Sequence, residues 1–272
     1  MDYRAILAAR RVFLEAVAPV WFDENATTLF SDDEPGRETF DLTLKYARPT
    51  RWFHSRFRDE LFAAARRRSE HAVAWLLVGA LNEEDGYALD AIIDGLLGDT
   101  AALASAANEM AFLVQSSEAD NPHLAIAVEF WRALLEADRR VVPADAMRSS
   151  GRWAFVTGLA NEVWSQLTIQ TLELTGGTID LPIEVADRSK TEHTSGNSTR
   201  ILLLLLLGQG EPWERDYVAR AAIETLRAAT QRPVDENFQR LRTRLIELGH
   251  HEAAEIRPDE DRDGDSPHAR RD

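Results

Sequence analysis

"RILLLLLLGQGEPW", residues 200–213, sets one isoleucine and six leucines in succession and halts at Gly208. A strand, a membrane span and a helix covered on every side are the structures such a run can build. A spanning helix needs about 20 apolar residues, and this run stops far short of that. Leucine forms helices better than strands, and the flanking segments carry helical spacing. The run is therefore expected to be a short helix between two layers, apolar all round because it is covered all round.

Helical spacing continues on both sides of it. Residues 3–18 place Ile6, Val12 or Phe13, and Val17 on one side, with Arg4, Arg10, Arg11 and Glu15 elsewhere, as in an amphipathic helix that ends before Pro19. "SDDEPGR", residues 31–37, reads as a loop. Phe53, Phe57, Leu61 and Ala64 or Ala65 follow one another by threes and fours, which gives residues 51–67 one apolar face. Ser69 is placed to cap the next helix, and "NEEDG" at 82–86 turns the chain. Asp99 or Thr100 caps another helix, Pro122 sits in the first turn of a further one, and Gly176-Gly177 closes the helical stretch 153–174. Asp235 caps the last helix and Gly249 ends it. No segment alternates polar and apolar residues between hairpin turns, so a sheet is not expected.

Short helix pairs recurring at roughly 35–45 residues are the pattern of a HEAT- or armadillo-like α-solenoid. The expected fold is thus all-α, stacked antiparallel helix pairs over residues 1–256 with a sub-boundary near 116–123; an irregular helical bundle is the alternative. Residues 257–272 are acidic and poor in apolar side chains, and disorder is expected there.

Composition narrows the chemistry. The 272 residues are 44% hydrophobic, enough for a substantial core. The chain has no cysteine, which excludes disulfides, thiolate metal sites and a cysteine nucleophile, and fits a reducing cytoplasm. The first residues mix charge with apolar side chains and lack the uninterrupted apolar core of a signal peptide. The net charge of −15 is unevenly spread: residues 1–68 hold 12 basic and 11 acidic side chains, whereas residues 69–199 hold 7 and 20. An acidic middle repels nucleic acid phosphates and anionic lipid and suits a basic protein surface. Membrane contact is not expected.

No catalytic motif is present. A phosphate-binding loop needs Gly-Lys-Ser/Thr, yet Lys45 follows Leu44 and Lys190 follows Ser189. A hydrolase elbow is missing too, because Arg200 stands where "SGNSTR" would need its second glycine. "HHEAAE", His250 to Glu255, has Glu255 where a zinc helix places its second histidine. His54, His71, His123 and His193 share no spacing. In the tail, Asp259, Asp261, Asp263, Gly264 and Asp265 match the first half of a calcium loop, but Pro267 interrupts it and Arg270 replaces the bidentate glutamate. Neither a metal nor a cofactor is expected.

Two stretches could contact a partner. "RPTRWFHSRFRDELFAAARRR", residues 48–68, sets Arg48, Arg51, Arg56, Arg58, Arg66, Arg67 and Arg68 around Trp52, Phe53 and Phe57. Arginine beside aromatics serves protein hot spots and single-stranded nucleic acid alike. Here the aromatics lie at core spacing, so a core face with a basic rim is expected, able to pair with acidic residues of the same or another copy. Glu83, Glu84 and Asp85, in the acidic middle of the chain, are the other residues of a candidate interaction surface. With Asp90 they are also the carboxylates that a metal-dependent helical hydrolase would use, although such a cluster before a helix ordinarily complements the helix dipole.

"HLAIAVEFWRALLEADRR" (123–140), the segment from Arg152 to Lys190 and "LLLLLLGQGEPW" carry a family likeness. Phe130-Trp131, Trp153 and Phe155, Trp164, the turn Thr175-Gly176-Gly177 with Ile179-Asp180, and Val185-Ala186-Asp187-Arg188 precede an apolar helix that ends at Gly208 and Trp213. Over about residues 123–256 the chain resembles the HEAT-like helical C-terminal portion of large bacterial P-loop ATPases of the STAND or AAA type, proteins of defence and conflict systems. The resemblance implies a helical array that senses a ligand or holds a partner. That family's nucleotide-binding module is missing from these residues, so ATP chemistry does not carry over. The expectation is a non-catalytic protein-binding or scaffold module, its partner a basic surface or a P-loop ATPase.

Overall fold

A computed structural model describes residues 3–190, 196–208, 210–229 and 236–256. The acidic tail with its calcium-like loop, the Asp235 cap and His193 lie outside the described residues. Among the described residues the protein is all-helical, 75% helix in 16 α-helices with no strand, and it divides into two compact units, Met1–Ala146 and Met147–Asp272. Residues 116–123, where the sequence suggests a sub-boundary, lie inside the first unit. No described helix is long and apolar enough to cross a membrane.

The first unit runs through α1 (Tyr3–Ala9), α2 (Arg11–Val17), α3 (Pro19–Leu29), α4 (Glu34–Tyr46), α5 (Arg51–Arg56), α6 (Arg58–Arg66), α7 (Ala72–Leu81), α8 (Leu89–Gly95), α9 (Thr100–Val114) and α10 (Pro122–Glu136), and the division falls within the last turn of the short α11 (Ala144–Met147). Its core is aromatic. Phe30, Phe40, Phe53, Phe57 and Trp75 meet at ring-centroid distances of 4.9 to 6.1 Å, mostly edge to face, the arrangement that ring quadrupoles favour. Phe53, Phe57, Leu61, Ala64 and Ala65 are all buried, as their spacing predicts, although the helix carrying them breaks at Phe57 into α5 and α6.

Three local readings change. "SDDEPGR" is the start of α4 rather than a loop: the Asp33 carboxylate accepts the Gly36 N–H at 2.8 Å, and Pro35 occupies the first turn, where its missing N–H is harmless. Ser69 does not cap α7, because its hydroxyl donates to Asp41 at 2.6 Å and His71, in the left-handed region, takes the cap position. The stretch 153–174 is not one helix but a 3-10 helix, Arg148–Phe155, followed by α12 (Asn161–Leu174). The caps at Asp99 and the helix start at Pro122 stand as read.

The second unit continues with α13 (Pro182–Lys190), α14 (Asn197–Leu207), α15 (Pro212–Ala229) and α16 (Glu236–Glu247), and closes with a 3-10 turn, His251–Glu255. The leucine run is α14, and it packs against α12, α13, α15 and α16. Ile201, Leu202, Leu203, Leu205 and Leu206 are buried, and Leu207 alone faces solvent. Four neighbours explain why the run from Ile201 onward carries no polar side chain, while Arg200 just before it reaches solvent and pairs with Glu173. It stops where Gly208 lies backbone to backbone on Gly177, a contact so close that a Cβ on Gly177 would stand 2.2 Å from the Leu204 carbonyl oxygen. Gly177 also has φ +83°, so glycine is required there twice over.

Candidate interaction surface

Arg51, Arg56, Arg58, Arg66, Arg67 and Arg68 lie on α5 and α6 and on the turn after them, and the structure gives each an acceptor in its own chain, whereas Arg48 stands exposed before α5. Arg51 reaches Glu84 at 3.4 Å, Arg56 reaches Asp23 at 3.6 Å and Arg67 reaches Asp41 at 3.8 Å. Arg58 Nε donates to the Gly86 carbonyl at 2.8 Å and Arg66 Nε to the Gly95 carbonyl at 3.1 Å, which ties α6 to the turn before α8 and to the end of α8. Arg68 grips Asp99 with two bonds of 3.2 Å and holds that carboxyl below its ordinary range, while Asp99 also caps α9. The basic rim is thus a set of staples between neighbouring helices.

The acidic residues do not converge. Glu84 turns to Arg51, whereas Glu83 and Asp85 stand exposed in the turn, Glu83 with φ +53°. Asp90 folds back onto the Ala91 N–H at 2.8 Å. Among the described residues no three His, Asp or Glu side chains are placed to hold a metal ion.

A different surface emerges at the amino-terminal end, where the expected amphipathic helix is turned inside out. Residues 3–18 form two helices rather than one, and the supposed apolar face points to solvent: Ile6, Val12, Phe13 and Val17 are exposed. Arg11, assigned to the solvent side, is 0% exposed. Its guanidinium donates to Glu15 Oε2 and Thr50 Oγ1, both at 2.9 Å, and to the Arg48 carbonyl. It also lies 4.8 Å from the centre of the Phe53 ring and 5.6 Å from that of Trp75. A buried cation is tolerable only when paired and hydrogen-bonded. Thr50 completes the seat by donating to Glu15 at 3.1 Å while it accepts the Phe53 N–H at the start of α5. Burial lowers the Arg11 pKa to about 10, against the opposing pull of Glu15, so the group stays charged at neutral pH.

His54 is buried beside this seat. Its Nε2 lies 3.0 Å from the Trp75 carbonyl, its own carbonyl accepts the Tyr87 hydroxyl at 2.9 Å, and its Nδ1 has no partner. Burial is the main cause that pushes its pKa down.

Seating Arg11 inward fixes the rotation of α2 and drives its apolar side chains out. Seven exposed large apolar residues crowd into residues 3–21, as many as in all the other described residues together. Phe13 is 59% exposed, Val17 58%, Val20 70% and Trp21 45%. Between residues 12 and 22 the single ionisable side chain is Glu15, and it is engaged with Arg11. The sequence did hold one signal of this arrangement, the Arg11–Glu15 pair one turn apart.

The second unit carries a smaller candidate, a cleft of about 540 Å³ lined by Gly177, Asp180, Leu181, Glu211 and Glu214 among others. Glu214 is occupied there as a cap, accepting the Glu211 N–H at 3.1 Å. Nearby in this unit Arg188 does what Arg11 does in the first, donating to the carbonyls of Trp153, Val156 and Leu159 at 2.8 to 2.9 Å and stacking 4.6 Å over Trp164. No family model matches the chain, and neither a curated protein nor a solved structure matches it.

Proposed function

We propose that this chain is a non-catalytic protein-binding module, a HEAT- or armadillo-like array of helix pairs whose docking surface is the apolar face of α2 and α3. The observation that carries the reading is the exposure of Phe13, Val17, Val20 and Trp21 in a stretch with no free charge. Exposed apolar side chains gathered in one place, rather than scattered singly, mark interaction sites. Aromatic anchors such as Phe13 and Trp21 supply most of the binding energy in such sites. The arginines singled out in residues 51–68 support the same reading, since they serve as staples between helices. The resemblance to the helical arms of P-loop ATPases adds a context, a scaffold or sensor in a bacterial defence system, and the acidic residues 69–199 add a second surface suited to a basic partner.

A photo-crosslinking residue at position 21, introduced in the native host, tests this reading. The expected result is a protein adduct that disappears when Val17→Asp is added. An absence of any protein adduct contradicts it.

A further inference from the structure

The first unit holds a cleft of about 310 Å³, near the lower bound for small-molecule sites. Phe30 and Phe40 are the most deeply buried of the residues around it and form its floor, their rings edge to face at 5.9 Å. Helix α6 forms one wall. Glu60, Ala63 and Arg67 follow one another by three and four along that wall, Asp59 stands beside Glu60, and Arg67 takes the cap position at the end of the helix. The small Ala63 leaves the space between the charged ends open.

Those charges are sorted by position. From α4 and the turn before it, Arg37 grips Asp32 through Nε at 3.0 Å and Nη2 at 2.8 Å, so that pair satisfies itself. On α6 the two carboxylates lie in the first turn and Arg67 lies past the last one. The helix rises about 10 Å between Glu60 and Arg67, so the wall is negative at one end and positive at the other. Neither Asp59 nor Glu60 is held in an ion pair among the described residues. Arg67 comes no closer than 3.8 Å to Asp41, beyond hydrogen-bond reach, which leaves its guanidinium donors open.

We infer that this cleft binds a short zwitterionic peptide, its ammonium at Asp59 and Glu60, its carboxylate at Arg67 and an apolar side chain on Phe30 and Phe40. The length fits, since an extended chain spans about 3.3–3.6 Å per residue and two or three residues bridge the wall. A guanidinium takes a carboxylate through two parallel N–H donors, while two adjacent carboxylates favour a cation. A peptide laid the other way would put like charges together at both ends, so the direction is fixed. A polyanion such as a nucleotide meets the two carboxylates, and a wholly apolar molecule would desolvate three charges without pairing them.

Titration of leucyl-phenylalanine into the isotope-labelled full chain, followed by amide NMR shifts, tests this. The expected result is a set of shifts centred on Ser31, Phe40 and Ala63 that saturates with a dissociation constant of about 0.05–1 mM, as suits a ligand of this size. Acetylating the amino end or amidating the carboxyl end should each weaken binding about 3- to 5-fold, the effect of a partly exposed ion pair. Glu60→Gln should weaken the free dipeptide by a similar factor and leave the acetylated form unchanged, and Arg67→Gln should do the same for the amidated form. Ala63→Leu fills the cleft and should abolish saturation. These side chains are exposed or half-buried, and an unchanged helical circular dichroism spectrum verifies that each variant folds. The absence of saturable shifts at about 10 mM, above that range, overturns the inference. Shifts centred elsewhere, undiminished binding of the blocked dipeptides, or undiminished binding to the Ala63→Leu chain overturns it as well.

Discussion

α2 and α14 solve opposite problems. α14 hides Ile201, Leu202, Leu203, Leu205 and Leu206 among four neighbouring helices, and the polar side chains it buries, Ser198 and Thr199, sit in its first turn and bond backbone carbonyls. α2 buries an arginine and exposes Val12, Phe13 and Val17. The contrast shows that an apolar residue in a helix says that a surface will be covered, but not by what. In α14 the cover is the same chain. In α2 the inward face is claimed by a cation that finds three oxygen acceptors and two rings, and the apolar side is left for something else.

A matched pair of substitutions breaks or sharpens that contrast most strongly. Leu202→Asp places an unpaired carboxylate at a fully buried site and should cost about 4–5 kcal/mol or more, enough to abolish cooperative unfolding of the second unit. Val17→Asp makes the corresponding change at an exposed site and should shift stability by about 0.5 kcal/mol or less. Chemical denaturation measures both. Equal losses at the two positions would erase the distinction.

Arg11→Met probes the inside of α2. It removes the cation but leaves the Glu15 carboxylate, the Thr50 hydroxyl and the Arg48 carbonyl, so a loss of about 3 kcal/mol is expected, the lower end for a broken buried pair because Glu15 keeps partial solvent contact. Arg11→Lys should recover only part of this, since a single ammonium cannot fork to Glu15 and Arg48 together. Denaturant midpoints rank the three proteins.

His54 gives a smaller, pH-dependent effect. Its folded pKa is lowered by burial, so the folded state holds it neutral while the unfolded chain protonates near its ordinary value of about 6.5. The contribution to stability is full above that pH and is lost as the pH falls below it. Arg11 pushes the same way, whereas Glu84 and the Trp75 carbonyl oppose it. The first unit should therefore lose stability between neutral and mildly acidic pH, and His54→Gln should flatten that slope.

The smallest effect belongs to the staples. Arg68 is 69% exposed, and Arg68→Ala should cost about 0.2–1 kcal/mol despite its two bonds to Asp99. A larger loss would mean that the rim contributes as much as the core.

Legibility in the sequence follows the distance to the partner. The leucine helix could be read because its length, its composition and the stop at Gly208 all lie within one segment. The face from Phe53 to Ala65 could be read for the same reason, apart from its break at Phe57. The start of α4 was readable in principle from Asp33 and Pro35, whose cap and first-turn roles are local. Ser69 was not, because the carboxylate that takes its hydroxyl comes from Asp41, 28 residues away. Arg11 was least legible of all. Its acceptors Arg48 and Thr50 lie 37 and 39 residues on, and no helical wheel contains them. The candidate site was missed by the same route, since a pattern that assumes arginine outside must place Phe13 and Val17 inside.

That rotation of α2 is the central claim, and the absence of cysteine from the chain makes it directly measurable. Single-cysteine variants Val17→Cys and Ala8→Cys, treated with a thiol reagent at nanomolar protein under native conditions, report which side of the amino-terminal helices meets solvent. The account predicts that the thiol at position 17 reacts at nearly the rate of a free peptide, while that at position 8, buried in α1, is protected until the unit unfolds. Protection at position 17 with free reaction at position 8 would contradict it.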